Sequence, residues 1–390
     1  MAMADYMKFP LNEYQDRINR VRQRMEKKGL KGLFIMEGTN FQYFSGGTRR
    51  MDYSRPTFML LPLKGNPAVL VHKFCDENRR REIWVDDIRI YPTMRGTPFD
   101  MVVEAFRDTG LSEGRVGAEL GFEQRLGISY LEFMKLKELL PKVEFVDAAD
   151  VFWDTRMIKS KEEVERHRKA CEITAQAYRA LFPILHEGMN EREIMDRFLK
   201  LQAAFGAGAP WGLMNSGPEN YLCIGSGGPS TRKIEKGNQV WIDGGSRYRD
   251  YWSDFCCAGT VGLPSDKQLK TQEMVVKITD DLVKAIRPGM RACDVDAMNT
   301  TAWQKYGLDY GKIDFGGSRI GHGIGLLGTE PPHIGPEDKT VLQSGMVFTI
   351  EPGWPTEYGC FQAETDVVLT EEGCEVLNPM DWNLRIISTS

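Results

Sequence analysis

The chain has 390 residues, 42% hydrophobic and 27% charged, with a net charge of −5 at pH 7; that length predicts two domains, each with its own core. The acidic balance offers no basic field for nucleic acid or an anionic membrane, and the chain lacks a run of about 18 apolar residues, so no transmembrane helix is expected. Residues 1–12 lack the apolar stretch of a secretory leader, and the eight cysteines are scattered without a Cys-x-x-Cys pair, which together predict a cytoplasmic protein with reduced thiols.

In chain order, helical periodicity over 12–28 puts Tyr14, Ile18, Val21 and Met25 on one face and stops at Gly29. Residues 31–36 read as a buried strand, and 58–63 with 67–71 as a hairpin. A helix over 99–107, a strand over 115–119, a helix over 128–140 and a strand over 143–147 complete an α/β pattern. The boundary falls near 151–160. A long amphipathic helix is predicted over 161–186, opened by a capping box of Ser160 and Glu163, and a second over 191–205. Strands follow at 238–246, 249–261, 344–351 and 364–370, with helices at 266–286 and 292–305. The second half is therefore expected to be α+β, with helices on a curved antiparallel sheet.

Five residues of that half carry the chemistry. Asp243 ends the apolar run Val240-Trp241-Ile242, Asp254 follows eleven residues later, and His322 lies between Gly321 and Gly323. Glu351 ends Val347-Phe348-Thr349-Ile350, and Glu364 opens a strand. A core strand that ends in an acid needs a partner, because a lone buried charge is costly. A shared dication answers for all of these acids at once. Carboxylates with one imidazole suit Mn, Fe, Co or Zn, and bridging carboxylates can hold two such ions side by side. The glycines around His322 are expected to let other groups approach its imidazole.

The chain resembles the creatinase/prolidase/methionine aminopeptidase superfamily, peptidase family M24. The resemblance rests on Arg156-Met157-Ile158-Lys159-Ser160-Lys161-Glu162-Glu163, Ser216-Gly217-Pro218, the Asp243/Asp254 pair, Gly321-His322-Gly323-Ile324-Gly325, Glu330-Pro331-Pro332 and Phe348-Thr349-Ile350-Glu351-Pro352-Gly353. It points to the two-domain branch that holds prolidase and aminopeptidase P. The fold it implies is an α/β N-terminal creatinase-like domain (1–155) plus an α+β pita-bread C-terminal domain (156–390). It also implies two divalent metal ions. Asp254 and Glu364 would bridge both, Asp243 would bind one, and His322 and Glu351 the other, with Glu351 taking a proton from the attacking water. The implied function is metal-dependent hydrolysis of a C–N bond in a carboxylate-bearing small molecule or dipeptide, performed by a homodimer. A metal-dependent lyase, with Asp366 as one candidate base, and a non-catalytic binding protein are the alternatives.

The pattern departs from the hydrolytic peptidases at two histidines. The position seven residues after the ligand histidine is Thr329, and the segment 222–228 holds no histidine. Of the five histidines (72, 167, 186, 322 and 333), His333 is the one near enough in sequence to replace them. His167 and His186 are expected to be exposed on or beside a helix. Thr329 and His333 thus join Glu351 as candidate catalytic residues. For substrate binding, Arg49, Arg50, Tyr53 and Arg55 form a basic loop able to clamp a carboxylate. Trp211, in the glycine-rich and turn-like 206–212, is a candidate pocket wall.

Overall fold

A computed structural model describes residues 7–48, 55–74, 77–218, 228–310 and 319–390, and the chain divides into two units, Met1–Arg156 and Met157–Ser390. In the first unit the elements are α1 (Leu11–Lys27), β1 (Gly32–Ile35), α2 (Gly38–Ser45), β2 (Phe58–Pro62), β3 (Ala68–His72), α3 (Glu77–Glu82), β4 (Asp87–Tyr91), α4 (Phe99–Asp108), β5 (Gly114–Ala118), α5 (Tyr130–Leu139), β6 (Val143–Asp147) and α6 (Ala149–Arg156). The strands form one sheet in the order β4-β3-β2-β1-β5-β6. Strand β1 runs antiparallel to β2 and parallel to β5. Leu33, Phe34 and Ile35 are wholly buried, as an unbroken apolar strand in mid-sheet must be. The expected hairpin is present as β2–β3. Sequence patterning missed helices α2, α3 and α6 and the edge strand β4, all short.

The second unit contains α7 (Lys161–Leu181), α8 (Glu191–Ala204), β7 (Ala209–Ser216), β8 (Gln239–Tyr248), β9 (Tyr251–Trp252), β10 (Phe255–Val261), α9 (Asp266–Ala285), α10 (Ala292–Gln304), β11 (His322–Gly323), β12 (Glu330–His333), β13 (Val347–Ile350), β14 (Gly353–Thr356), β15 (Gly359–Gln362), β16 (Thr365–Thr370), β17 (Gly373–Val376) and β18 (Arg385–Ile387). It is α+β, but its strands form two principal sheets. One has the order β18-β10-β8-β7 with β9 beside β8, the other β12-β11-β13-β16-β17, and β14 pairs with β15. The ladders are antiparallel except for β10 with β18.

Several local differences from the sequence pattern have physical causes. Helix α7 begins with the predicted capping box of Ser160 and Glu163. It ends at Leu181 rather than 186, because Pro183 has no N–H for the helical ladder, and Phe182–Ile184 continue as a 3-10 turn. Of residues 206–212, expected to be turn-like, 209–212 belong instead to strand β7 (Ala209–Ser216). It is an edge strand, the one place where Pro210 is tolerated in a sheet. The expected strand over 249–261 is broken by a tight turn, with Arg249 and Asp250 at φ of 46° and 77°. Among the described residues no helix is long and apolar enough to cross a membrane.

Candidate metal centre

The two sheets of the second unit each bring part of the cluster. Asp243 lies in β8 and Asp254 just before β10; His322 lies in β11, Glu351 just after β13 and Glu364 just before β16. Asp254, Glu351 and Glu364 flank strand ends, whereas Asp243 lies within the β8 ladder, opposite Leu213 of β7 and Cys256 of β10. One oxygen from each of Asp243, Asp254 and Glu364 lies within 4.8 Å of the others. His322 Nε2 is 3.5 Å from Asp254 Oδ2 and 3.9 Å from Glu351 Oε1. All five predicted ligands therefore converge.

Glycines make this convergence possible in a way the sequence pattern did not indicate. A Cβ on Gly321 would stand 2.1 Å from the Thr349 carbonyl oxygen, and one on Gly323 would stand 2.2 Å from that of Pro331. The glycines around His322 thus admit neighbouring backbone, not partners for the imidazole. The His322 N–H donates to Thr349 Oγ1 at 3.1 Å, and β11 is held between β12 and β13.

The electrostatics of the cluster call for a cation. Asp243 Oδ1, Asp254 Oδ1 and Glu364 Oε2 are buried without a hydrogen-bond partner. Burial pushes the Asp243 carboxyl up to about 6. Burial, with the neighbouring carboxylates, holds Asp254 and Glu364 well above the ordinary range. His322 Nδ1 lies 3.0 Å from the Gly323 carbonyl oxygen. A carbonyl only accepts, so Nδ1 carries the proton and Nε2 presents a bare lone pair. Burial lowers the His322 pKa, and the Arg319 guanidinium lowers it further against the raising effect of Glu351. His322 Nε2 thus faces a carboxyl oxygen of Asp254 at 3.5 Å and one of Glu351 at 3.9 Å. Hard oxygen donors and one imidazole fit a divalent ion.

Helix α7, expected from the sequence, supports the cluster from behind, a role that the sequence pattern did not indicate. His167, Cys171, Thr174 and Tyr178 follow one another at helical spacing on α7, and all are fully buried. His167 Nδ1 donates to the Trp252 carbonyl at 2.7 Å, and Cys171 Sγ to Asp366 Oδ2 at 3.2 Å. Thr174 Oγ1 lies 2.9 Å from both Ser246 Oγ and Ser253 Oγ. Tyr178 OH lies 3.1 Å from the Ile242 carbonyl and 2.9 Å from that of Phe255. Each partner sits within three residues of a predicted ligand. Asp366 also accepts from the Asp254 N–H at 2.9 Å, so its carboxylate braces Asp254. The signal was four polar side chains at i, i+4, i+7 and i+11 on an otherwise apolar face.

His167 is therefore buried, not exposed, and burial lowers its pKa from 6.5 to about 4. A folded pKa below the unfolded one means that stability from the neutral ring is complete above pH 6.5 and lost as pH falls toward 4. His167→Gln keeps an N–H for Trp252 and removes the titration. Denaturant unfolding at pH 7 and pH 4 is expected to show the wild type losing on the order of 3 kcal/mol more than this variant.

The remaining predicted residues are placed as follows. Trp211 pairs with Gly245 and Leu213 with Asp243 across β7–β8, which sets Trp211 on the same face as Asp243. His333 lies directly opposite His322 across β11–β12, and its Nδ1 is 2.7 Å from Arg319 Nη1. Thr329 is exposed just before β12; among the described residues no hydrogen bond joins it to the cluster. His186 is exposed, as expected, and its Nδ1 lies 2.8 Å from the Glu187 carbonyl. Arg49, Arg50, Tyr53 and most of 222–228 lie outside the described residues. Arg55 belongs to the first unit, where its guanidinium stands 5.3 Å from the centre of the Phe74 ring.

Comparison with known proteins accords with this geometry. A family model described as metallopeptidase family M24 matches residues 165–371, and one described as the creatinase/prolidase N-terminal domain matches 17–158. An Xaa-Pro dipeptidase from Pyrococcus furiosus is 30% identical over 381 residues, covering 95% of this chain and 99% of that protein. An ectoine hydrolase from Halomonas elongata is 25% identical over 397 residues, covering 95% and 96%. The crystal structure of the prolidase from Pyrococcus horikoshii OT3 aligns with a TM-score of 0.81 at 28% identity, covering 95% of this chain and 99% of that one.

Proposed function

The chain belongs to metallopeptidase family M24, and from that premise we propose that it is a dinuclear hydrolase cleaving the C–N bond of a small carboxylate-bearing substrate, an Xaa-Pro dipeptide first of all. In coarse terms it is a metal-dependent hydrolase. The observation that carries the finer reading is the approach of His322 Nε2 to within 3.5 Å of Asp254 Oδ2 and 3.9 Å of Glu351 Oε1, beside the three clustered acids Asp243, Asp254 and Glu364. Asp254 and Glu364 would hold both ions, Asp243 one, and His322 with Glu351 the other. Two divalent ions bound there would supply Lewis-acid polarisation of the scissile group and lower the pKa of water.

The chain's own residues do the rest. Glu351 is the least buried of the ligand acids that face His322, its side chain 18% exposed against 10% for Asp254. Its N–H is fixed on the Ile320 carbonyl at 2.8 Å. Its carboxylate takes a proton from water as the water oxygen adds to the carbonyl carbon. The C–N bond then breaks, and the nitrogen leaves with that proton. Trp211, on the Asp243 face of the ladder, forms an apolar wall for the substrate. His333, opposite His322 across β11–β12 and in contact with Arg319 through its Nδ1, is the remaining candidate catalytic histidine. We further propose a cytoplasmic protein, a reading supported by the buried free thiols Cys171, Cys256, Cys257 and Cys360, and a homodimer, as the family resemblance implies.

Absence of the two peptidase histidines, together with likeness to an ectoine hydrolase, supports a small non-peptide amide or amidine as the second substrate class. The test is to strip the protein with a chelator, restore Mn, Co, Zn or Fe separately, and assay Xaa-Pro dipeptides and ectoine in 18O-water. Hydrolysis on the order of 10 per second with one of these ions, with one solvent oxygen in the product, is expected. Bound metal without turnover of either substrate class counts against the reading.

A further inference from the structure

We propose that Gln362 is a positioning residue of the metal centre, whose side-chain amide ties the ligands carried by one sheet to those carried by the other. The proposal rests on the dinuclear site just described. Gln362 is the last residue of β15, buried, and lies two residues before Glu364. Its Oε1 accepts from the Trp241 indole N–H at 3.1 Å, and its Nε2 donates to the Glu351 carbonyl at 3.3 Å. Its backbone carbonyl accepts from Cys256 Sγ at 3.5 Å. Trp241 lies two residues before Asp243 on β8, and Cys256 stands directly opposite Asp243 on β10.

These contacts join what the topology keeps apart. Strands β8 and β10, which bring Asp243 and Asp254, belong to one sheet, and β13 and β16, which bring Glu351 and Glu364, to the other. The amide oxygen of Gln362 faces the first set and its nitrogen the second. Glu351 is thereby fixed through both of its peptide groups, its N–H on the Ile320 carbonyl and its own carbonyl on Gln362. Asp243 would serve one ion and Glu351 the other, so the same amide links a ligand of one ion to a ligand of its neighbour.

Glutamine meets both demands without charge. An indole N–H only donates and a carbonyl only accepts, so the side chain between them needs an acceptor at one position and a donor at the other. A glutamate there would set an anionic oxygen against the Glu351 carbonyl and add a further negative charge beside Asp243, Asp254, Glu351 and Glu364. An arginine would leave the Trp241 N–H without its acceptor and place a cation where dications are to bind. Methionine has a similar length and makes neither bond. Hydrogen bonds of this kind orient the groups that ligate a metal, and losing one lowers metal affinity about ten- to a hundredfold.

The experiment titrates Mn calorimetrically into the chelator-stripped full chain, for wild type, Gln362→Met, Trp241→Phe and the double variant, and records the electron paramagnetic resonance spectrum of each Mn-loaded protein. Thermal unfolding of the stripped proteins controls for folding. Wild type is expected to bind two ions and to show the multiline signal of a coupled Mn pair. Q362M is expected to bind its weaker ion about ten- to a hundredfold less tightly and to show the signal of isolated Mn. W241F, which removes one of the two bonds, loses less. The double variant loses no more than Q362M, because both changes act through one hydrogen bond; losses that add would mark separate packing defects and overturn the proposal. A folded Q362M with wild-type affinities and a coupled signal overturns it too. If Q362M does not fold, W241F decides by the same two readouts. A wild type that binds a single ion, weakened in Q362M, defeats the dinuclear reading and leaves the positioning role of Gln362 standing.

Discussion

Asp254→Asn, stripped of metal, is expected to unfold at a higher temperature than stripped wild type and yet gain nothing from Mn. The two halves of that result have one cause. Asp243, Asp254 and Glu364 place oxygens within 4.8 Å of one another, buried and without hydrogen-bond partners for three of them. Without a cation that arrangement costs stability, since two charges at such a distance repel by about 3 kcal/mol even at an effective dielectric near 20. A neutral amide at Asp254 removes part of the repulsion, so the stripped variant gains about 2 kcal/mol. With Mn in thousandfold excess over its Kd the wild type gains about 4 kcal/mol; the variant does not. Hydrolysis by the variant is expected to fall on the order of a thousandfold. Thermal unfolding with and without Mn reads the first effect, and dipeptide assay the second. A stripped variant less stable than stripped wild type, with its metal response intact, would show that these acids are structural.

Glu191→Ala is expected to cost about 3 kcal/mol or more, seen as a fall in Tm of roughly 10 °C. Glu191, buried at the start of α8, takes four donors. Its Oε1 accepts from the Ser216 N–H at 2.9 Å and hydroxyl at 2.7 Å. Its Oε2 accepts from the Ser230 N–H at 2.8 Å and hydroxyl at 2.6 Å. One carboxylate therefore ties the end of β7, which pairs with the Asp243 strand, to residue 230. Removing it leaves four donors wanting. Glu191→Gln keeps one acceptor oxygen and is expected to lose about half as much. Metal affinity of the glutamine variant should change little, because Ser216 pairs with Val240, three residues short of the ligand.

The parts of this account differ in how legible they are in sequence, for physical reasons. The five proposed ligands are legible because Asp243 and Glu351 each end an apolar run, Glu364 opens a strand and His322 lies between two glycines, and a charge or imidazole in such a setting needs a reason. The capping box that opens α7 is local and so is readable from Ser160 and Glu163 alone. The α7 stripe is not, because His167, Cys171, Thr174 and Tyr178 are each compatible with an ordinary buried helix face, and their partners lie far along the chain. Strand β7 is hidden by Gly208, Pro210 and Gly212, which argue against a strand unless it is known to lie at an edge. Gln362 is hidden for another reason. It sits beside a ligand in sequence, but nothing in the pattern tells that Trp241 and the Glu351 carbonyl will meet at its amide.

The central claim is that Asp243, Asp254, His322, Glu351 and Glu364 together hold two divalent ions. Calorimetric titration of Mn into chelator-stripped wild type and Asp254→Asn tests it most directly. Two ions per chain for the wild type, and loss of both as tight sites in the variant, is the predicted result. One ion or none in the wild type, or two bound unchanged by the variant, would contradict it.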